Sequence, residues 1–240
     1  YVKYPILRLS KEDFSVDKKM YKKHLVIGLP MAFQFSITAI GTVVLQGALN
    51  MFGPAKIAAF TAASKVEQLV TQAAPSFGVT MANYSGQNLG ADKIDRIKDG
   101  VRKCTFLTLS FAVLAGVIIY AFGEPLVNLF LDEKDPEVID AALVYLHTMI
   151  WFFPALFMIF VYRNMLQGVG KSFMPLMAGV FELISRTVVA LVLPGIIGYM
   201  GICLAGPIAW VAAAVPLGIT YFYEIRKMMF EWNKRHTLSF

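Results

Sequence analysis

The longest uncharged block in the chain reads TVVALVLPGIIGYMGICLAGPIAWVAAAVPLGITYFY, at residues 187–223, and contains no Lys, Arg, Asp or Glu. About 20 apolar residues in a helix cross a hydrocarbon core roughly 30 Å thick, so this block belongs to two crossings, separated at residues 198–201. Three other uncharged blocks, residues 24–55, 104–123 and 141–162, are at least as long as one crossing. The sequence therefore predicts membrane-spanning helices.

Composition agrees with lipid as the main solvent. Charged residues make up 16% of the chain and hydrophobic residues 57%, and the mean hydropathy is +0.60. Soluble domains have about 25% charged and about 45–50% apolar residues. Cys104 and Cys203 have no CxxC or histidine partner nearby, so we expect buried apolar side chains and no metal site. No GxSxG, HExxH or P-loop motif occurs, so an enzyme is not expected.

Six spans are predicted in one bundle, which makes the fold class an all-α membrane protein. The predicted spans are about 25–51, 57–84, 104–122, 141–162, 173–197 and 202–223. They form a transmembrane lobe at 24–224, between a basic arm at 1–23 and a tail at 225–240. Between the second and third spans, Ile94, Ile97 and Val101 recur at helical spacing among charges. This stretch is expected to lie on the membrane surface.

Lys and Arg are distributed unevenly over the predicted loops. The arm, the loop after the second span, the loop with Arg163 and Lys171, and the tail hold almost all of them. The opposite loops hold only Lys56 and Lys134. Because basic loops stay in the cytoplasm, we predict a multi-pass protein of the cell membrane with both termini cytoplasmic. The net charge of +6 is then a topology signal, and no nucleic-acid partner is expected.

Polar side chains inside predicted spans are candidates for function, because burying them in lipid is costly. On the second span, one helical face carries a polar stripe of Thr61, Lys65, Gln68 and Gln72. Glu67 of the same span lies about 200° away from Lys65 at ~100° per residue, outside this stripe. A polar stripe lines an aqueous cavity or contacts another helix, and both alternatives stay open. Glu182 and Arg186 are four residues apart and can neutralise each other. The predicted substrate or ion pathway is Gln34, Thr38, Thr61, Lys65, Glu67, Gln68, Gln72, Glu182 and Arg186.

Short motifs along the chain resemble those of MATE (multidrug and toxic compound extrusion) transporters. The resemblance covers nearly the whole chain, and its most specific piece is GQN-x-GA. In chain order the pieces are GLP at 28–30, ALNMFG at 48–53, IAAFTAASK at 57–65, GQNLGA at 86–91 followed by Arg96, LQGVG at 166–170 and ELISR at 182–186.

This resemblance implies a transporter of twelve helices in two lobes, with a central cavity that opens alternately to each side. The basic arm and the initial Tyr1 lead us to expect that this chain is the C-terminal lobe, with an N-terminal six-helix lobe as its partner. The implied function is efflux of small organic cations and drugs by antiport. The coupling ion would be H⁺ or Na⁺, with no bound cofactor.

The chain departs from the pattern of sodium-coupled members of this family. They carry a glutamate at the position of Thr38 and an aspartate in the equivalent of 141–162, where this chain has no acid. Coupling would then fall to the other lobe, to Glu67 or to Glu182. One alternative is a lipid-linked oligosaccharide flippase of the same superfamily, with Lys65 and Arg186 against an anionic headgroup. An intramembrane lipid-modifying enzyme is a third, disfavoured by the missing motifs.

Overall fold

The computed structural model describes residues 17–131 and 134–237, except for the side chains of Lys23 and Thr237. These residues form helices joined by short turns and contain no strand. Most of the predicted basic arm and the last three residues of the predicted tail lie outside the described residues. The helices are α1 Lys18–Leu49, α2 Gly53–Thr71, α3 Ala73–Gly90, α4 Ile94–Asn128, α5 Pro136–Ile150, α6 Phe153–Gly168, α7 Phe173–Val192, α8 Pro194–Ile197 and α9 Tyr199–Thr237.

Prolines decide where two of the spans break. A proline lacks a backbone N–H, and its ring clashes with the carbonyl four residues earlier. Four residues before Pro154 is Ile150, where α5 ends, and α5 and α6 meet at an angle of 52°. Four residues before Pro75 is Thr71, where α2 ends. Each of these spans is therefore built from two helical halves.

The described helices account for six membrane crossings. Four helical stretches are long and apolar enough to span a membrane, and the bent pair α5–α6 makes a fifth. The first stretch, Lys18–Gly90, has 73 residues, which at 1.5 Å per residue is about 110 Å of helix, far more than one bilayer. It divides at Gly53, whose φ of 80° suits glycine, into α1 and the α2–α3 pair. The predicted fold class is confirmed.

α6 lies at the centre of the main core. Its Phe153, Phe157 and Leu166 are fully buried, and the helix packs against α3, α4 and α9. α1 packs mainly against α7. Gly168 of α6 is required by a close approach of α3, because a Cβ there would overlap the backbone of Ala82.

The amphipathic stretch predicted to lie on the membrane surface is instead the beginning of α4. The helix continues from Ile94 to Asn128, with a kink at Phe122 three residues before Pro125. Ile94, Ile97 and Val101 are buried in the main core. The surface prediction is wrong because these apolar side chains contact other helices of the bundle.

Candidate functional site

A cavity of about 570 Å³ lies among α1, α2, α3, α5, α6, α7 and α9. Its apolar lining includes Met149, Phe160 and Trp210. Hydroxyl, amide and charged groups make up the remainder of the wall, and they come from five of the helices. These polar residues are Thr38, Thr42, Gln46, Thr61, Ser64, Glu67, Gln68, Thr71, Gln72, Tyr145, Arg163, Glu182 and Arg186.

The helix breaks place polar groups at this cavity. Thr71 and Gln72 lie where α2 gives way to α3, and both line the cavity. The Thr71 hydroxyl donates to the Glu67 carbonyl at 2.8 Å, which adds a side-chain bond to a backbone acceptor next to the break. Membrane bundles tolerate such interruptions where side chains or a water-filled cavity can satisfy the freed backbone groups. The breaks therefore fit an aqueous cavity.

One wall, from α2 and α5, carries a single carboxylate held by a neutral donor. The Tyr145 hydroxyl donates to Glu67 Oε2 at 2.5 Å. Tyr145 is buried, and its ring packs edge-to-face on Phe60 with centroids 4.7 Å apart. No ion pair among the described residues includes Glu67. We name Glu67 and Tyr145 the acid–tyrosine wall.

A second part of the lining, from α6 and α7, carries two cations around one carboxylate. Arg186 Nη2 lies 2.7 Å from Glu182 Oε1, and Arg163 Nη2 lies 3.3 Å from Glu182 Oε2. All three residues are buried. The Arg186 guanidinium rests on α1 where Gly41 leaves room, since a Cβ there would lie 3.1 Å from Nη1. We name Arg163, Glu182 and Arg186 the arginine wall.

Seven of the nine residues predicted for the pathway line this cavity. They are Thr38, Thr61, Glu67, Gln68, Gln72, Glu182 and Arg186. The Thr38 and Thr61 hydroxyls donate to carbonyls one turn earlier in their own helices, at 3.0 and 2.7 Å. Their oxygens remain able to accept a hydrogen bond. A role for any of the seven in binding a substrate or an ion stays a prediction.

Gln34 and Lys65 are not among the cavity-lining residues. Gln34 is buried, accepts a hydrogen bond from Gln167 Nε2 at 3.0 Å and packs on Gly179, so it joins α1 to α6 and α7. Lys65 is exposed, with its Nζ 5.7 Å from the centre of the Phe130 ring. The structure thus separates Lys65 from the Thr61, Gln68 and Gln72 positions of its stripe.

Arg163 and Tyr145 are among the cavity residues that the sequence analysis does not identify. Arg163 was assigned to a cytoplasmic loop, but α6 continues to Gly168 and buries it. The signal was Pro154, which divides the predicted fourth span and places Arg163 inside its second half. Tyr145 stands in a mainly apolar run, and nothing in the local sequence indicates a polar partner for its hydroxyl. Its role depends on its contact with Glu67 of another helix.

Known proteins resemble this chain in sequence. A family model described as MatE matches residues 30–192. The "Probable multidrug resistance protein NorM" of Thermotoga maritima is 25% identical over 243 residues, covering 95% of this chain and 50% of that protein. A FAD transporter of Shewanella oneidensis is 22% identical, covering 95% of this chain and 49% of that protein. This chain spans about half the length of these two relatives.

Solved structures agree on the fold. A MATE crystal structure in complex with MaL6 has a TM-score of 0.86 at 17% identity, covering 95% of this chain and 52% of that one. A Pyrococcus furiosus transporter of the MOP superfamily, described as having a binding pocket of reverse polarity, has a TM-score of 0.84 at 18% identity. The structural match covers 92% of this chain and 50% of the Pyrococcus furiosus protein. At these identities the likeness concerns the fold.

Proposed function

Because the chain belongs to the MatE family, whose model matches residues 30–192, we propose that it is one six-helix lobe of a secondary active efflux transporter. The observation that supports this most is the polar cavity, which Glu67 and Glu182 both line from different helices of a membrane bundle. Ionisable groups inside a membrane protein typically serve substrate or ion pathways. The family relation also agrees with the prediction that the chain is not an enzyme.

The working transporter would contain a second six-helix lobe. The chain spans about half of the relatives that it matches over 95% of its length. Secondary transporters of this kind bind their substrate between two repeats, which move against each other to open the site to each side in turn. The cavity described here would form one side of that site, in a multi-pass protein of the cell membrane.

Within the cavity, Glu67 is the group we propose for the coupling ion, H⁺ or Na⁺. It accepts a hydrogen bond from the neutral Tyr145 hydroxyl and interacts electrostatically with Arg186, but it forms no ion pair among the described residues, so gaining a proton or contacting a cation breaks none. Glu182 is bonded to two arginines and could not be neutralised without leaving both without their partner. Of the two acids that the sequence leaves as candidates, Glu67 is the one whose surroundings allow a change of charge.

The cargo we propose is a small organic compound. The cationic character that the family resemblance implies stays a prediction, since two arginines and two carboxylates line the cavity and balance each other in number. The flippase alternative stays open as well. Of the two residues predicted to contact an anionic headgroup, Arg186 lines the cavity and Lys65 does not.

Transport assays on the chain alone and on the complete two-lobed protein test this function. We expect the complete protein in proteoliposomes to export a fluorescent organic probe when a gradient of H⁺ or Na⁺ is imposed. The chain alone should export nothing, because it has no second repeat to move against. Gradient-dependent export by the chain alone would require a homodimer, and no export by the complete protein would refute the proposal.

Orientation is tested by labelling single cysteines from each side of the membrane. In a background without Cys104 and Cys203, cysteines at positions 88 and 171 should react only with reagent on the cytoplasmic side. A cysteine at position 135 should react only from outside. Labelling of position 135 from the cytoplasm would reverse the proposed topology, with both termini then outside.

A further inference from the structure

The arginine wall has an excess of positive charge that its own residues do not balance. Arg163 and Arg186 share one carboxylate, and each bonds a different oxygen of Glu182. All three side chains are buried, at 10%, 8% and 9% exposure for Arg163, Glu182 and Arg186. Two like charges held together in a partly dry site repel each other unless a further negative group is present. The wall therefore favours an additional anion.

Most of the hydrogen-bonding capacity left on this wall consists of donors. A guanidinium carries five N–H donors and no acceptor. Both oxygens of Glu182 are already engaged by the two arginines. Arg163 Nε has no hydrogen-bond partner among the described residues, although only 8% of Arg163 is exposed. A buried donor without an acceptor is costly, so a ligand that supplies acceptors would be stabilised here.

Glu67 of the acid–tyrosine wall interacts electrostatically with Arg186, but it does not accept a hydrogen bond from Arg163 Nε. Glu67 is bonded by Tyr145 of α5 and forms no ion pair with any described residue. The hydroxyls of Thr38 and Thr61 line the same cavity, but a neutral oxygen forms a weaker hydrogen bond to a guanidinium than an anion does. The cavity is lined by two arginines and two glutamates, so its charges balance in number. The hydrogen-bond donors that remain free nevertheless lie together on α6 and α7.

We propose that the arginine wall binds a carboxylate or phosphate group of the transported molecule, an inference that rests on the proposed transport function. Arg163 would offer Nε–H together with an Nη–H, the planar fork that matches two oxygens of such a group. Arg186 would add the second positive charge. Phe160, Met149 and Trp210 on the same cavity suit an apolar or aromatic body. The cargo is therefore an amphiphilic organic acid, either water-soluble or a lipid with an acidic headgroup.

Equilibrium binding to the purified chain in phosphatidylcholine nanodiscs tests this without requiring transport. Four probes share a naphthalene body: 2-naphthoate, 2-naphthyl phosphate, 2-naphthylmethylammonium and 2-naphthylmethanol. We expect both acids to bind at least about tenfold more tightly than the ammonium and the alcohol, the effect of one or two hydrogen bonds to a charged group. Trp210 on the cavity wall offers a fluorescence signal for binding.

Variants at Arg163 locate the site. Arg163→Gln should lower the affinity for both acids about tenfold and leave the alcohol unchanged. The matched control is Lys103→Gln, which also removes one positive charge but at an exposed position paired with Asp99, and it should change nothing. Arg163→Gln leaves Glu182 paired with Arg186, so we expect it to fold. Arg163→Lys, which keeps the charge and loses the fork, should also weaken acid binding and serves if the glutamine variant unfolds.

Further measurements distinguish a lipid ligand from a water-soluble acid, and other outcomes would contradict the proposal. Displacement of 2-naphthoate by lysophosphatidate, or weaker binding in phosphatidylglycerol nanodiscs, would identify a lipid headgroup as the ligand, and its absence would favour a soluble acid. Tighter binding of the ammonium probe would overturn the anionic assignment while leaving the transporter proposal standing. Binding of none of the four probes to a cooperatively melting chain would overturn the anionic assignment, while the transporter proposal is tested separately by export from the complete protein.

Discussion

The two walls of the cavity each present a glutamate, and the partners of these glutamates differ. Glu182 is held by two buried arginines, at 2.7 and 3.3 Å. Glu67 accepts one hydrogen bond from Tyr145, a neutral group. Removing the Glu182 charge leaves two buried cations without their partner, whereas neutralising Glu67 breaks no ion pair among the described residues and removes only an electrostatic attraction to Arg186. The comparison teaches that a carboxylate in a membrane bundle can be structural or functional, depending on whether its partner is charged.

The largest effect is expected for Glu182→Gln. This change leaves Arg163 and Arg186 buried next to each other without a carboxylate, and breaking a buried ion pair in this way costs about 3–5 kcal/mol. The free energy of unfolding of the chain in detergent or nanodiscs measures it. The double variant Glu182→Gln with Arg163→Gln should recover part of the loss. A change below about 1 kcal/mol would show that the arginine wall contributes as little as a surface pair.

A smaller effect is expected for Tyr145→Phe. The ring still packs on Phe60, but the Glu67 carboxylate loses its donor, which costs about 1–3 kcal/mol for a partly buried group. The same unfolding measurement applies, and Tyr223→Phe, at an exposed position, serves as the control. Equal free energies of unfolding for Tyr145→Phe and wild type would mean that the Tyr145 hydroxyl does not stabilise the Glu67 carboxylate.

The smallest effect on stability is expected for Lys65→Ala. The Lys65 side chain is exposed, and its Nζ lies 5.7 Å from the centre of the Phe130 ring. A cation–π contact of this kind contributes about 0.5–1 kcal/mol. A double-mutant cycle with Phe130→Leu isolates that contribution. If transport by the complete protein falls as much in Lys65→Ala as in Glu67→Gln, the predicted place of Lys65 in the pathway is supported.

Much of the fold was predictable because the bilayer imposes it. Uncharged blocks of span length have few alternatives to membrane helices, and the distribution of Lys and Arg sets a single orientation to test. The polar stripe on α2 was recognised from helical spacing, and Thr61, Gln68 and Gln72 do line the cavity. Spacing alone could not separate Lys65 from them, because a long, flexible side chain can leave the face of its own Cα.

The arginine wall was only half predictable. Glu182 and Arg186 are four residues apart in sequence, and the structure pairs them at 2.7 Å. Arg163 joins them from another helix, and its burial depends on how far α6 continues beyond the break at Pro154. The contact of Tyr145 with Glu67 likewise joins residues 78 positions apart. Such contacts are set by the packing of helices, which local periodicity does not determine.

Gradient-driven export by the complete transporter, compared between wild type and Glu67→Gln in proteoliposomes, tests the central claim most directly. Glutamine keeps an acceptor for the Tyr145 hydroxyl, so stability should change by less than about 1 kcal/mol. We predict that Glu67→Gln still equilibrates the probe across the membrane, but that an imposed H⁺ or Na⁺ gradient no longer drives its export. Full gradient-driven export by Glu67→Gln would contradict the assignment of Glu67 as the ion-coupling carboxylate.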